Sequence, residues 1–591
     1  VVTSAAVLER RAHWLLAALA LALYAPSLLN GLTTWDDPDY TFESPFVTKG
    51  LAGVADAFTT PYEGAYIPLS HAALTVAGTA DPSNPLPYHL VQWVLIGLTA
   101  LLFPRALGAL GLSRGVAVIA GVLWLAHPFR VESVSWVANT KDTLSLFCLA
   151  ASLALFGADR RWASALVFTL GLLAKAALAP LAPLFLVLEW RRAKGTPAVL
   201  SSLRWLVPAL VAGVGAVLVH RAYLPAHRFE GGWTTPLYTP FWYLGRTLLP
   251  VGSRAVYDWS PPQGTTVAML LVAWAVVALG VGLGLRRAAP PLLRAFAVGA
   301  VAFLVPLAPF SGVVPQVHPV AERYTLYPSL VLAVGLGLAL HRFGRAGLVV
   351  AAGLLVALAV PNVLRQREWR DPLALWTSNV ALAPGSVVAQ VNLAGALGGA
   401  GDFAGAVERL QVVRTIDPDY PKLDCFMAMA RAGKERLDPS FAVTELKQLC
   451  ALPASQRWPV AARIVARKDA SSVVVLEELA FGTDRAKAAA AAAALALEKN
   501  QLERALGLAT QARLWDPSLD RAIVTQVIAL LKLKRLDEAE ALARTPVQDP
   551  RAAARLLGLQ GVVLNERGRY AEAEQLLTQS AARLRELGEA P

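Results

Sequence analysis

The sequence predicts an all-α protein in two parts, a polytopic transmembrane helix bundle of about eleven spans followed by an α-solenoid of stacked helix hairpins. Three observations predict it. The chain has 591 residues, of which 55% are hydrophobic and only 16% charged, and soluble domains rarely reach that apolar fraction. Apolar runs of membrane-crossing length recur as far as about residue 365 and then stop. Beyond that point Leu and Ala recur at helical spacing in hairpin-sized units.

The spans are expected at 12–30, 88–105, 115–128, 141–157, 162–176, 178–190, 202–220, 264–285, 292–310, 325–341 and 346–363. The guide is ~20 apolar residues for a ~30 Å hydrocarbon core. Arg10/Arg11, Arg105/Arg114, Arg160/Arg161, Arg191/Arg192/Lys194, Arg286/Arg287 and Arg342/Arg345 all fall on one side of this arrangement. The positive-inside rule makes that side cytoplasmic. Eleven crossings then put the C-terminus on the opposite side. The stretch PLYTPFWYLGRTLL (236–249) reads as an interfacial or re-entrant helix, and the parity holds only if it does not cross. Residues 12–30 read as a retained first span, since no cleavage site with small residues follows them.

After a linker at 366–385, residues 386–591 read as soluble. VNLAGALGGAGDFAGAVERLQVVRTIDP (391–418), ALALEKNQLERALGLATQARLWDP (494–517), ALLKLKRLDEAEALA (529–543) and GVVLNERGRYAEAEQLLTQSA (561–581) share one pattern. Each has a helix with small residues, a polar turn and a second helix. They resemble the tetratricopeptide repeat, a ~34-residue hairpin whose small residues let two helices approach closely. Residues 422–490 are a degenerate stretch of this array. One hairpin cannot bury its own apolar face, so the units are expected to stack.

The net charge of +12 does not point to nucleic acid. The basic residues sit at the ends of apolar runs, and no basic stretch interleaved with aromatics forms a groove. Three cysteines, Cys148, Cys425 and Cys450, exclude a disulfide framework and a CxxC metal site. Cys425 and Cys450 can pair if their segment is extracytoplasmic.

Polarity is concentrated in three loops assigned to the non-cytoplasmic side. The first, 31–87, carries GLTTWDDPDY (31–40), with Asp36, Asp37 and Asp39, and YEGAYIPLSH (62–71), with Tyr66 and His71; PLPYHL (85–90), with His89, follows. The second is HPFRVESVSWVANTKD (127–142), with His127, Arg130, Glu132, Lys141 and Asp142. The late one is PQVHPVAERYTLYPS (315–329), with His318, Glu322, Arg323 and Tyr324. Ionisable groups at a membrane boundary are costly to desolvate and are often functional when they converge. The plainer alternatives are solvated loop charge for the acids, an interface ion pair between Glu132 and Lys141 or Arg130, and polar loop roles for His71 and His89.

Taken together, these motifs resemble the GT-C glycosyltransferase superfamily. More closely, they resemble the transmembrane and tetratricopeptide repeat O-mannosyltransferase family and its bacterial relatives. The matching elements run in order: WDDPDY (35–40), YIPL (66–69), PYHL (87–90), HPFRVESVSWVANTKD (127–142), LLAK (172–175), AERYTLYPS (321–329) and REWRDPLALW (367–376). The chain departs from the family at Gln92, where Asn is frequent, and at Asn-Thr-Lys-Asp (139–142).

The resemblance implies a GT-C-type domain at 1–365 that takes a sugar, mannose or another hexose, from a polyprenyl-phosphate carrier. The acceptor is a hydroxyl on the far side of the membrane. Asp36 and Asp37 are then the catalytic pair, with Asp36 first choice as general base and Glu132 the second acid. Asp36 and Glu132 could also hold a divalent ion, for which oxygen ligands suit Mg or Mn. Arg323 is expected on the lipid phosphate, because guanidinium binds phosphate oxygens bidentately, with Tyr324 and Lys175 in support; its alternative role is a salt bridge to the loop acids. Tyr66, His89, His127, Arg130, Asp142 and Glu322 complete the expected site. The repeats are expected to hold the acceptor polypeptide. The absence of any Asn-x-Ser/Thr sequon favours a bacterial inner membrane, with the repeats in the periplasm. Two alternatives remain: transfer to a lipid-linked or polysaccharide acceptor, and a non-catalytic membrane-anchored scaffold.

Overall fold

The computed structural model describes residues 4–223, 234–312, 314, 318–420, 423–434 and 485–589. Among these residues every regular element is a helix. Most of the degenerate stretch 422–490 lies outside the described residues, as does Cys450. Cys425 is disulfide-bonded and Cys148 is free and buried. Contacts divide the chain into two compact units, Val1–Asn392 and Leu393–Pro591.

The first unit contains helices α1 (Ser4–Tyr24), α2 (Pro85–Ala109), α3 (Arg114–Ala126), α4 (Arg130–Ser135), α5 (Thr140–Gly157), α6 (Arg161–Ala174), α7 (Pro183–Arg192), α8 (Thr196–Tyr223), α9 (Thr235–Leu248), α10 (Thr265–Gly284), α11 (Pro291–Leu307), α12 (Pro328–Arg342), α13 (Gly344–Glu368) and α14 (Pro372–Leu382). Seven helical stretches among the described residues are long and apolar enough to cross a membrane: Arg11–Leu29, Pro85–Ala109, Val137–Gly157, Thr196–Tyr223, Thr265–Gly284, Pro291–Phe310 and Gly344–Glu368. That is compatible with a membrane protein.

The other four expected spans are shorter or broken. The runs at 115–128, 162–176 and 325–341 form α3, α6 and α12. Thirteen residues in α3 rise about 20 Å, short of a ~30 Å core. The run at 178–190 divides into a 3₁₀ turn, Ala176–Leu181, and α7, because Pro180 and Pro183 interrupt the hydrogen-bond ladder. The stretch 236–249 folds as the 14-residue α9. The expected linker 366–385 is helical through most of its length, and α14 belongs to the first unit.

The burial pattern separates core from periphery. Leu16, Ala20, Ile96, Ala100, Trp124 and Phe168 are buried in one cluster. By contrast Leu210, Val211 and Leu218 on α8, and Val272, Val276 and Leu279 on α10, are exposed. Apolar faces on this scale suit lipid as the surrounding medium. Where helices touch, small residues permit it: a Cβ on Gly337 of α12 would meet Val116 O of α3 at 3.1 Å.

A buried polar network crosses this apolar interior. Tyr24 Oη donates to Leu125 O at 2.7 Å. Asn362 Nδ2 donates to Tyr24 Oη at 3.1 Å and to His127 O at 3.3 Å. Gln366 Nε2 donates to Leu23 O at 2.9 Å and to Asn362 Oδ1 at 2.8 Å. The network joins α1, α3 and α13 at the end where the polar loops begin.

The second unit is built of helix pairs: Arg485–Glu498 with Leu502–Trp515, Asp520–Lys532 with Leu536–Ala543, and Pro550–Glu566 with Tyr570–Glu586. Ala488, Ala492, Ala505 and Ala509 form a buried seam between the first two helices. The turns within these pairs contain Asn500, Lys534 and Gly568, each with positive φ and 34 residues apart. The same conformation ends the hairpin turn at Gly401.

Replacing Asn362 by Leu removes one hydrogen bond each from Tyr24, Gln366 and His127 O in an apolar interior. Interhelical hydrogen bonds of this kind contribute about 1–2 kcal/mol in model systems. The Asn362→Leu protein is therefore expected to unfold at a lower temperature in detergent, and an unchanged midpoint would show that the network does not stabilise the bundle.

Candidate functional site

The three polar loops meet, and two carboxylates tie them together. Asp37 is fully buried. Its Oδ2 accepts from Thr33 N at 2.7 Å and Thr33 Oγ1 at 2.9 Å, and its Oδ1 accepts from Ala138 N at 2.8 Å. It therefore closes its own turn and fastens the first loop to the second. Burial pushes its carboxyl up to about 6, against the pull of those hydrogen bonds. Asp37 is thus engaged in structure, and of the expected Asp36–Asp37 pair only the Asp36 carboxylate is without a bonded partner among the described residues.

Glu132, also fully buried, fastens the second loop to the third. Its Oε2 accepts from Arg323 N at 2.8 Å and its Oε1 from Arg323 Nη1 at 2.5 Å. The alternative partners Lys141 and Arg130 are not used. Rings enclose the Arg323 guanidinium, whose carbon lies 5.3 Å from the Trp136 centroid, 5.9 Å from Trp35 and 4.9 Å from Tyr324. Trp35 stacks on Trp136 at 4.4 Å and meets Trp376 edge-on at 5.3 Å. Tyr324 stacks on Phe310 at 4.3 Å. The segment 367–376 thus contributes an aromatic wall, and Arg370 O accepts from Gly31 N at 2.7 Å.

The remaining expected residues divide clearly. Lys175 pairs with Asp142, which also accepts from Ser133 Oγ at 3.2 Å, and Lys175 Nζ lies 5.4 Å from the Phe310 centroid. Glu322 accepts from Tyr257 Oη at 2.5 Å and Arg254 N at 2.9 Å, and pairs with Arg365 at 2.9 Å. Arg130 is fully enclosed and donates to Thr325 Oγ1, while its Nε and Nη1 have no partner. His127 Nε2 lies 2.9 Å from Thr247 O, and its Nδ1 accepts from Phe129 N at 3.2 Å. Burial lowers the His127 pKa to about 3, so the ring is a neutral brace for the His-Pro corner. His89 contacts Gly31 O at 3.3 Å. Tyr66 donates to Phe58 O at 2.9 Å and stays within its own loop.

Three groups are left without a strong partner among the described residues, Asp36, Lys141 and Asp39. Asp36 is half-buried, and no hydrogen bond or ion pair engages its carboxylate among the described residues. Burial raises its pKa; the charges of Lys141 and Arg323 oppose the rise and Glu63 adds to it. Lys141 is also half-buried. Its Nζ lies 4.5 Å from the centre of the Tyr40 ring and 3.4 Å from the Tyr40 hydroxyl. Asp39 extends the acidic mouth: burial and then Glu63, Asp36 and Glu43 push its carboxyl up to about 6.

As a metal site the arrangement is poor. Both Glu132 oxygens already accept from Arg323, and no group of three or more His, Cys, Asp or Glu side chains placed to hold a metal occurs among the described residues. The residues that sequence reasoning left outside the site are Trp35, Trp136, Trp376 and Arg365, together with Lys141, noted only as loop charge. The motifs WDDPDY and REWRDPLALW contained the signal for two of the tryptophans.

Compared with known proteins, the chain matches no protein-family model and no curated protein.

Glu132→Gln would place an amide against a buried guanidinium and leave that charge unpaired. Breaking one side of a buried pair costs about 3–5 kcal/mol. A marked fall in the thermal midpoint is expected for Glu132→Gln and none for Asp36→Asn, whose carboxylate supports no partner. Equal midpoints in the two variants would remove the Arg323–Glu132 pair from the fold's support.

Proposed function

We propose that the chain is a GT-C-type membrane glycosyltransferase that moves a sugar from a polyprenyl-phosphate carrier to a hydroxyl of a protein acceptor. The observation that carries this reading is the condition of Asp36. Among the carboxylates where the three loops meet, Asp37, Glu132, Asp142 and Glu322 are all bound to donors; Asp36 and Asp39 are free, and of these two it is Asp36 that feels the cations Lys141 and Arg323, while Asp39 has only acids around it. A half-buried, unpartnered carboxylate beside positive charge suits a general base.

In this mechanism Asp36 takes the proton of the acceptor hydroxyl as its oxygen attacks the anomeric carbon. The bond from that carbon to the phosphate oxygen breaks, and its electron pair leaves with the polyprenyl phosphate. The Asp36 proton passes to solvent before the next cycle. Arg323 supplies positive potential from its aromatic cage, and Glu132 holds it in place. Tyr324 and the Lys175–Asp142 pair brace the same wall.

The wider organisation fits the reading. The seven long apolar helices together with the shorter α3, α6, α7 and α12 are proposed as eleven crossings, with the 393–591 unit in the periplasm of a bacterial inner membrane. The 34-residue recurrence of left-handed turn residues supports tetratricopeptide-type hairpins there. In this reading their role is to hold the acceptor polypeptide. Transfer to a lipid-linked glycan would use the same base, so the assay compares peptide and lipid acceptors.

Asp36→Asn keeps the shape of the side chain and removes the base. Transfer from a polyprenyl-phosphate sugar is expected to fall by about 100- to 10,000-fold at unchanged expression and thermal midpoint. Wild-type turnover in that variant would overturn the assignment. The base works only when deprotonated, and burial raises the Asp36 pKa above the ordinary aspartate value. Wild-type kcat/KM is therefore expected to fall with decreasing pH on a limb lying above that value, and a rate flat from pH 8 to about 4 would argue against Asp36 as base.

Glu132 has both oxygens committed, so the reading gives divalent metal no role. Turnover is expected to survive removal of divalent ions by a chelator. Loss of turnover that Mg or Mn restores would reinstate Asp36 as a metal ligand.

A further inference from the structure

Positive charge is abundant around Asp36, yet most of it is already neutralised. Arg323 is held at 2.5 Å by Glu132. Lys175 is held by Asp142. Arg365 is held by Glu322 at 2.9 Å and Glu368 at 3.0 Å. Arg130 has no carboxylate but is fully enclosed, so no ligand can reach it without opening the fold. Lys141 differs from all four. Among the described residues no carboxylate lies within ion-pair distance of it, its only polar contact is the long one to Tyr40 Oη, and it is half-buried rather than sealed.

A partly desolvated ammonium with one 3.4 Å contact lacks the hydrogen bonds that normally offset its burial. Its three donors need oxygen acceptors. The face of Tyr40 holds it in place from one side, 4.5 Å from the ring centre. Tyr40 is itself fixed by stacking on His71 at 5.4 Å, and His71 lies 4.8 Å from Phe46. The ammonium is thus positioned by rings, which leave its donors unused. Lys141 is also the positive charge that Asp36 feels most strongly.

We infer that Lys141, rather than Arg323, makes the direct contact with the phosphate of the lipid-linked donor. This deepens the proposed transferase reading and rests on it. Arg323 would then act through the field of the site, since its charge is paired with Glu132 and its guanidinium is enclosed by the Trp35, Trp136 and Tyr324 rings. As the sugar leaves, negative charge accumulates on the phosphate oxygens, and an ammonium with unused donors strengthens its hold at that moment. Lysine suits the task as a compact charge on a flexible stem.

The test is equilibrium binding to the purified full chain in detergent. Three probes are used: a radiolabelled polyprenyl phosphate, the polyprenol of the same length, and inorganic phosphate. Lys141→Gln should weaken polyprenyl phosphate by roughly 10- to 100-fold, the worth of one charge-assisted hydrogen bond, and leave the polyprenol unchanged. Lys141→Arg should recover part of the loss, because guanidinium keeps the charge and stacks on Tyr40. Wild-type affinity of Lys141→Gln for the phosphate lipid would overturn the inference while leaving the transferase reading intact. If the wild type binds neither lipid, or binds only inorganic phosphate, the lipid-donor reading fails instead; in the latter case, weaker phosphate binding in Lys141→Gln still supports Lys141 as the anion contact. Should Lys141→Gln unfold or lose both lipids, Lys141→Arg decides. A folded Lys141→Arg that binds the phosphate lipid in preference to the polyprenol supports the contact, and one that also loses both reduces Lys141 to a packing residue.

Discussion

The buried pair between Glu132 and Arg323 is the constraint on which the rest of the polar end depends. It spans 191 residues of sequence and uses both oxygens of the carboxylate. Two charges removed from water are stable together only when geometry and further contacts are good. Here Trp35, Trp136 and Tyr324 supply those contacts, offering their ring faces to the guanidinium. Trp35 comes from the first loop and Trp136 from the second, so caging the arginine also fixes the loops. Trp376, from the segment after the last long apolar helix, then packs edge-on against Trp35.

Around that pair, most of the charges are neutralised in turn. Asp142 takes Lys175, Glu322 takes Arg365, and Asp37 takes three backbone and hydroxyl donors. Among the described residues, what is left open is Asp36, Asp39 and Lys141, none bonded to another, while Arg130 is unpaired but sealed inside the fold. An arrangement that pairs most of its buried ions but leaves these open is not one that charge pairing alone would build. Reactive sites depart from local satisfaction in this way.

The apolar helices impose a different constraint. In lipid no water competes for polar side chains, so groups such as Asn362, Gln366 and Tyr24 find one another across helices. Their network lies directly behind the His127 corner, since Asn362 Nδ2 also donates to His127 O. The floor of the polar end is thereby anchored to the bundle, and the exposed apolar faces of α8 and α10 are free to contact lipid.

Much of this was legible in the sequence. Hydropathy and periodicity are local properties, so the all-helical class, the change of character after residue 365 and the concentration of charge in three loops followed from composition and spacing. Of the eleven runs expected to cross, seven form long apolar helices; three fold as shorter helices, and prolines at 180 and 183 divide the fourth in a way the hydropathy alone conceals. Partner choice was not legible. WDDPDY offers two adjacent aspartates with the same chemistry, and the fold of the turn onto Thr33 together with the approach of Ala138 N decides that Asp37 is bound and Asp36 free. Likewise Glu132 had three nearby or plausible cations, and it is the third loop, folding back across the bundle, that delivers Arg323 to it and leaves Lys141 open. Such choices depend on which backbone reaches which side chain across long sequence separations, which only the tertiary structure decides.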